Sequence, residues 1–318
     1  MTSSRTSIAL ACALAALALV VAGCAPVSTP QAAAPALAVT AVAITNTITV
    51  DGVARDYLLR TPATAVSDPR PLLLVIHGAG GNAAKAETAT GMTELSDAGG
   101  FIVAYPQGTQ AADVAGEYSW NAGACCANPV KNNIDDVSYI KALIADVQSQ
   151  ESVDPARIYI AGFSNGGMLA YRLACELPGE FAGIAVVAGA FNVSECATAG
   201  ATSVLMIHGT GDKTVPYDGG ATNERTAARF GQWKNASLAT AVDFWSTLDG
   251  CGEAPFAAVD GGVTRRSYST CANEKKIDVV TIADGGHIWP VAAESGFDAS
   301  SLITEFFDLA QPSTILAR

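Results

Sequence analysis

Histidine is scarce in this chain: three side chains, His77, His208 and His287, in 318 residues. Chemistry that needs an imidazole base therefore has only three sources. Paired metal-binding cysteines are missing too. None of the eight cysteines stands in a C-x-x-C spacing, so a zinc site finds little support, and neither a metal nor a cofactor is expected. Basic side chains number 18 against 30 acidic ones. That balance excludes nucleic acid and anionic membrane surfaces as electrostatic partners. No apolar run reaches the roughly 20 residues that a membrane-spanning helix needs; the longest, Ile8 through Val20, is well short of it.

That run has another use. Arg5 precedes it and Val21-Ala22-Gly23-Cys24 follows, the layout of a cleaved export signal over residues 1–23. The apolar-small-small-Cys ending resembles a bacterial lipobox, which would make Cys24 the lipidated first residue of the mature protein. Ordinary cleavage after Ala36-Leu37-Ala38 is the alternative. Residues 24–40 are rich in alanine and proline and read as a tether, followed by one domain over 41–318. Loss of Arg5 leaves 17 basic against 30 acidic side chains, a formal charge of −13. Such a charge suits an exported enzyme acting on a neutral or weakly charged substrate, and a monomer is expected. The six cysteines left after Cys12 and Cys24 allow 15 connectivities. The preferred set joins Cys175 to Cys196, Cys251 to Cys271, and the adjacent Cys125 to Cys126.

Gly162-Phe163-Ser164-Asn165-Gly166 stands between an apolar run, Arg157 through Ala161, and a helical pattern, Gly167 through Ala174. A G-x-S-x-G in that setting is a nucleophile elbow: a tight turn pushes the serine hydroxyl out of the sheet edge, with the N–H of the next residue, Asn165, facing a developing oxyanion. A base must then come from the three histidines. His77 and His208 each end an apolar strand, and both are expected to tie down a loop. His287 lies late in the chain in a glycine-flexed loop, Asp284-Gly285-Gly286-His287, that can swing a ring back over a serine. Asp212, on the turn after Val204 through Ile207, is the carboxylate placed to orient that ring. Asp218, Asp243 and Asp284 are its rivals, but only Asp212 directly follows a strand.

Strands and helices alternate from Leu72 onward, behind an opening hairpin of Ile44 through Val50 and Arg55 through Arg60 turning at Asp51-Gly52. This predicts an α/β fold with a mostly parallel central sheet, helices on both faces, and a site at the carboxyl ends of the strands. Helices are expected from Asp135 to about Ser149 and around Leu302 to Leu309.

The chain order serine, aspartate, histidine, with His77-Gly78-Ala79-Gly80-Gly81, Tyr105-Pro106-Gln107-Gly108, Ser119-Trp120-Asn121, Ala161 through Gly167, His208-Gly209-Thr210 with Asp212, and Gly286-His287 with Trp289-Pro290, resembles the secreted polyhydroxybutyrate depolymerase and feruloyl esterase group of α/β-hydrolases, carbohydrate esterase family 1. The resemblance spans residues 45 to 310. It implies an α/β-hydrolase fold and a carboxylic-ester hydrolase with Ser164 as nucleophile, His287 as base, Asp212 as orienting acid, and the N–H groups of Ala79 and Asn165 as the oxyanion hole. Trp120 and Trp289 are candidate walls for an acyl group or polymer chain. Hydroxyalkanoate, feruloyl and acetyl esters are expected ahead of insoluble polyester, since no linker or polymer-binding domain follows. Two other functions are weighed: a non-catalytic binding lipoprotein on this fold, which would have lost a member of the triad, and a serine peptidase or acyltransferase.

Overall fold

The computed structural model describes residues 42–63, 68–112, 115–196, 202–252, 256–268 and 270–310. The expected leader, the tether and Cys24 lie outside them. Strands of the main sheet are numbered in chain order. β1 (Val42–Val50) and β2 (Val53–Thr61) pair antiparallel across Asp51-Gly52. Both turn residues take positive φ, 51° and 80°, as a two-residue turn matched to strand twist requires. β3 (Arg70–Ile76), β4 (Ile102–Pro106) and β6 (Gly183–Val187) are buried along their whole length, and β7 (Ser203–Gly209) nearly so. Unbroken apolar runs are what a parallel strand covered on both faces needs. β5 (Val153–Phe163), β8 (Phe256–Asp260), β9 (Val263–Tyr268) and β10 (Ile277–Ile282) complete the sheet.

Its order is β1-β2-β4-β3-β5-β6-β7-β10-β9-β8. The six strands from β4 to β10 are parallel, and an antiparallel hairpin closes each edge. The β8–β9 hairpin was not anticipated from sequence. β9 reads Val-Thr-Arg-Arg-Ser-Tyr and is mostly half-exposed, so it carries no apolar alternation to announce it.

The helices that matter here are α1 (Ala83–Thr90), α2 (Met92–Gly99), α3 (Asp136–Gln150), α4 (Asn165–Glu176), α5 (Leu238–Leu248) and α6 (Ala299–Phe306). Strand periodicity sorts the core into two layers. Leu72, Leu74, Ile160, Val186 and Met206 pack with α3, α4 and α5. Leu73, Val75, Val103, Ala161 and Leu205 face the other way, toward α1, α2 and α6. Among the described residues, disulfides join Cys175 to Cys196, Cys251 to Cys271 and Cys125 to Cys126, the expected pairs. Cys251–Cys271 brackets the β8–β9 hairpin.

Candidate active site

Four neighbouring parts of the sheet deliver the polar residues: the loop after β3, the turn after β5, and the loops after β7 and β10. Ser164 sits between β5 and α4 with φ 54° and ψ −119°. A residue bearing a Cβ avoids that region, at a cost of about 1–3 kcal/mol. The turn is held by Ser164 N–H donating to Val187 O at 2.8 Å and Met168 N–H donating to Ser164 O at 2.9 Å. The two glycines of the motif are needed for space. A Cβ on Gly162 would strike the main chain of Gly166, and one on Gly166 would strike the carbonyls of Ile76 and His77.

His287 Nε2 lies 2.9 Å from Ser164 Oγ, and His287 Nδ1 lies 2.7 Å from Asp212 Oδ2. The carboxylate can only accept, so Nδ1 carries the proton and Nε2 is free to take the serine's. Burial alone would raise the Asp212 pKa. Hydrogen bonds from His208 and His287, together with the Val215 N–H, outweigh it and hold the carboxyl well below the ordinary carboxylate range. Asp212 Oδ1 accepts from the N–H groups of Thr214 and Val215 at 2.8 and 2.9 Å. The two loops are laced together: Thr210 N–H donates to Ile282 O, Gly211 N–H to Gly285 O, and Asp284 N–H to Thr210 Oγ1. Asp212 supplies the carboxylate at His287; Asp218, Asp243 and Asp284 make no side-chain hydrogen bond to that ring.

The other two histidines hold loops, as expected. His208 Nε2–H donates to Val215 O at 2.8 Å and also lies 3.4 Å from Asp212 Oδ2, a contact that no local pattern announces. His77 donates from Nδ1 to Gly78 O at 2.9 Å and accepts at Nε2 from Gly108 N–H at 3.1 Å. Burial above all pushes its pKa down to about 4; Arg55 and Lys85 add to the effect and the bond to Gly78 opposes it. The ring is therefore neutral at pH 7. Ala79 N–H and Asn165 N–H flank the serine, and neither has a hydrogen-bond acceptor among the described residues. The Asn165 side chain, which the sequence did not single out, is fully occupied. Its Oδ1 accepts from Ser119 Oγ–H and Trp120 N–H, and its Nδ2 donates toward Trp120 O and Cys125 O.

A cavity of ≈ 480 Å³ opens beside His287, with Phe163, Ile288, Trp289 and the Gly78–Gly81 loop on its walls and Lys85 and Glu294 among its lining residues. Trp289 lines that cavity, its indole N–H fixed on Ser300 Oγ at 3.0 Å. Trp120 does not. It is fully buried, with its ring between His77 and Tyr139, because its indole N–H is drawn to His77 O at 2.8 Å. Among the described residues no group of three or more His, Cys, Asp and Glu side chains is placed to hold a metal ion, and no helix is long and apolar enough to cross a membrane.

A sequence profile described as esterase PHB depolymerase matches residues 55–232. A protein named as an esterase, NocK of Nocardia uniformis subsp. tsuyamanensis, is 33% identical over 318 residues, covering 90% of this chain and 89% of that one. Feruloyl esterase B of Piromyces equi is 29% identical over 73% of this chain, which spans 42% of that protein. Poly(3-hydroxyalkanoate) depolymerase C of Paucimonas lemoignei is 24% identical over 71% of this chain and 56% of its own length. Among solved structures, the acetyl xylan esterase from Aspergillus awamori superposes with a TM-score of 0.59 at 14% identity, covering 84% of this chain and 100% of that one. That likeness is one of fold.

Proposed function

The chain belongs to the esterase PHB depolymerase family, and on that premise we propose that it is an exported serine esterase using Ser164, His287 and Asp212. That it is a carboxylic-ester hydrolase of α/β-hydrolase fold follows from the family; the machinery, substrate and location are the proposal. The observation that carries it is the unbroken line Ser164 Oγ, His287 Nε2, His287 Nδ1, Asp212 Oδ2, with steps of 2.9 and 2.7 Å across the ring.

His287 takes the proton as Ser164 Oγ attacks the ester carbonyl. The carbonyl oxygen gains negative charge at the N–H groups of Ala79 and Asn165, each such donor being worth about 3 kcal/mol in the transition state. Collapse expels the alcohol, protonated by His287 Nε2–H, and leaves an acyl-enzyme. Water deprotonated by the same nitrogen then releases the acid and restores the serine. Asp212 stays ionised throughout and stabilises the imidazolium. Trp289 and Phe163 line the adjoining cavity and suit an acyl or alcohol group with an apolar face. Hydroxyalkanoate and feruloyl esters are the substrate classes that the named relatives support, with acetyl esters proposed beside them. Export through residues 1–23, with Cys24 lipidated, completes the proposal, and mass analysis of the native N-terminus tests it; an unmodified start at Val39 sinks the lipid anchor.

The decisive test joins labelling to kinetics. A fluorophosphonate should attach to Ser164 alone, as read by peptide mapping. Ser164→Ala should lose about 10⁶ in turnover on p-nitrophenyl, methyl ferulate or hydroxybutyrate-oligomer substrates. Ala-variant turnover within tenfold of the native enzyme overturns the assignment.

A further inference from the structure

The two proposed oxyanion donors come from loops that no ladder joins. β3 and β5 are paired only as far as Ile76 and Gly162. Ala79 and Asn165 each lie three residues beyond that last pair, where the strands no longer fix the distance between them. Packing of Gly166 on the carbonyls of Ile76 and His77 keeps the two segments close; their orientation needs hydrogen bonds as well, since an oxyanion hole works only if both N–H groups converge on one point.

Trp120 reaches both loops. Its backbone N–H donates to Asn165 Oδ1 at 2.9 Å, and its carbonyl accepts from Asn165 Nδ2 at 3.2 Å. Its indole N–H donates to the carbonyl of His77 at 2.8 Å, two residues before Ala79. The preceding residues extend the grip. Gly80 N–H donates to Tyr118 O at 2.8 Å, Tyr118 N–H donates to Gly81 O at 3.0 Å, and Ser119 Oγ–H donates to Asn165 Oδ1 at 3.0 Å. Tyr118-Ser119-Trp120 therefore runs as a short strap across the mouth of the elbow, bonded to the β3 loop on one side and to the first residue of α4 on the other. The strap has its own foundation. Asn121 N–H donates to Asp136 Oδ2 at 2.7 Å, and Arg55 reaches the other oxygen, Oδ1, at 2.8 Å. The Trp120 ring is packed between His77, with centroids 4.8 Å apart, and Tyr139, at 6.3 Å. Asn165 and Trp120 are each almost wholly buried, so these bonds are not exchanged for water at little loss.

We propose that Trp120 is a positioning residue for the oxyanion hole, setting the separation of the Ala79 and Asn165 N–H groups by bonding to both of their loops. It touches no substrate and contributes nothing to ground-state binding. Its effect is confined to how well the two donors meet the charge that develops on the carbonyl oxygen, where a misplacement of about 1 Å is worth roughly 100-fold in rate. The proposal rests on Ala79 and Asn165 being the oxyanion donors.

Trp120→Phe breaks the link: it removes the indole N–H and keeps an aromatic ring beside Tyr139. The smaller ring leaves a void at this buried site, so some loss of melting temperature is expected in any case, and kcat and ketone affinity are the readouts that decide. The expected result is a fall in kcat of about 10-fold to 100-fold on a p-nitrophenyl ester, with KM within about twofold of the native enzyme. Affinity for a trifluoromethyl ketone, which forms the tetrahedral oxyanion on Ser164, should fall by the same factor. A merely structural tryptophan would lower the melting temperature and leave kcat and ketone affinity in place, and that outcome overturns the proposal. Should Trp120→Phe fail to fold, Asn165→Ser removes the other half of the link while keeping its main-chain N–H; the same loss is expected, and native kcat in that variant is equally fatal. Failure of the active site and failure of the strap give different results. An active Ser164→Ala would bring down the site itself, whereas an inactive Ser164→Ala beside a fully active Trp120→Phe brings down only the strap.

Discussion

The nucleophile half of the site and the acid–base half are held by different forces. Ser164 is fixed by close packing of main chain on main chain: Gly162 against Gly166, and Gly166 against the carbonyls of Ile76 and His77. Asp212 and His287 are fixed by polar bonds between two loops, and Asp212 alone accepts four hydrogen bonds if the longer one from His208 is counted. The first arrangement forbids a side chain; the second forbids the loss of a donor or acceptor. Mutations should therefore fail in different ways on the two sides.

The largest separation is expected on the polar side. Asp212→Asn preserves shape but offers His287 Nδ1 a donor in place of an acceptor, or forces the amide to turn over. The wrong tautomer is then favoured, and turnover should fall by about 10⁴ while the melting temperature moves little. Asp218→Asn, on the same loop but with no bond to the ring, should stay within about threefold. A ranking reversed in steady-state kinetics would assign the acid to Asp218.

On the packed side the expected loss is of fold. Gly166→Ala has no rotamer through which to escape, so it should cost upwards of about 3 kcal/mol and lower the melting temperature by about 5 °C or more. Gly286→Ala, beside His287, meets open space and should melt with the native protein. Equal melting temperatures for the two variants would erase the contrast between the halves.

The smallest effect concerns pH. His77 is held neutral with a pKa of about 4, against about 6.5 for the unfolded chain. The unfolded chain thus takes up the proton first, and stability is lost as pH falls from about 6.5 to about 4. The loss is on the order of 3 kcal/mol when complete. Burial pushes Asp249 up to about 6, so it binds a proton on folding in the same window and acts with the opposite sign. Comparing His77→Gln with the native protein removes that common contribution. The variant's melting temperature should fall less steeply between pH 7 and pH 4, and parallel curves would show that His77 is not the group concerned.

What sequence made legible on each side follows from the range of the interactions. The elbow is five consecutive residues between a strand and a helix, so Ser164 and the parallel order of the core strands could be read directly. Asp212 and His287 could be singled out because each lies in the loop that follows a strand and because histidine is so rare here. The bonds of Asn165 to Trp120 and of Trp120 to His77 span 45 and 43 residues and leave no local trace, which is why Trp120 looked like a substrate wall. The β8–β9 hairpin was hidden for another reason: on β9, the last strand but one, Arg266 is exposed and Arg265 is half-exposed and paired with Asp278, so its pattern is that of a loop.

The backbone of Ser164 has a bearing on how such a chain can change over generations. At φ 54° and ψ −119°, glycine would be more comfortable there than serine, and so the native residue is, for folding alone, the inferior choice. Selection for stability and selection for turnover therefore pull this one codon in opposite directions. A duplicate copy released from hydrolysis would gain robustness by giving up its hydroxyl first. A serine at the elbow is thus a cost to the fold that the proposed reaction, and not stability, would explain.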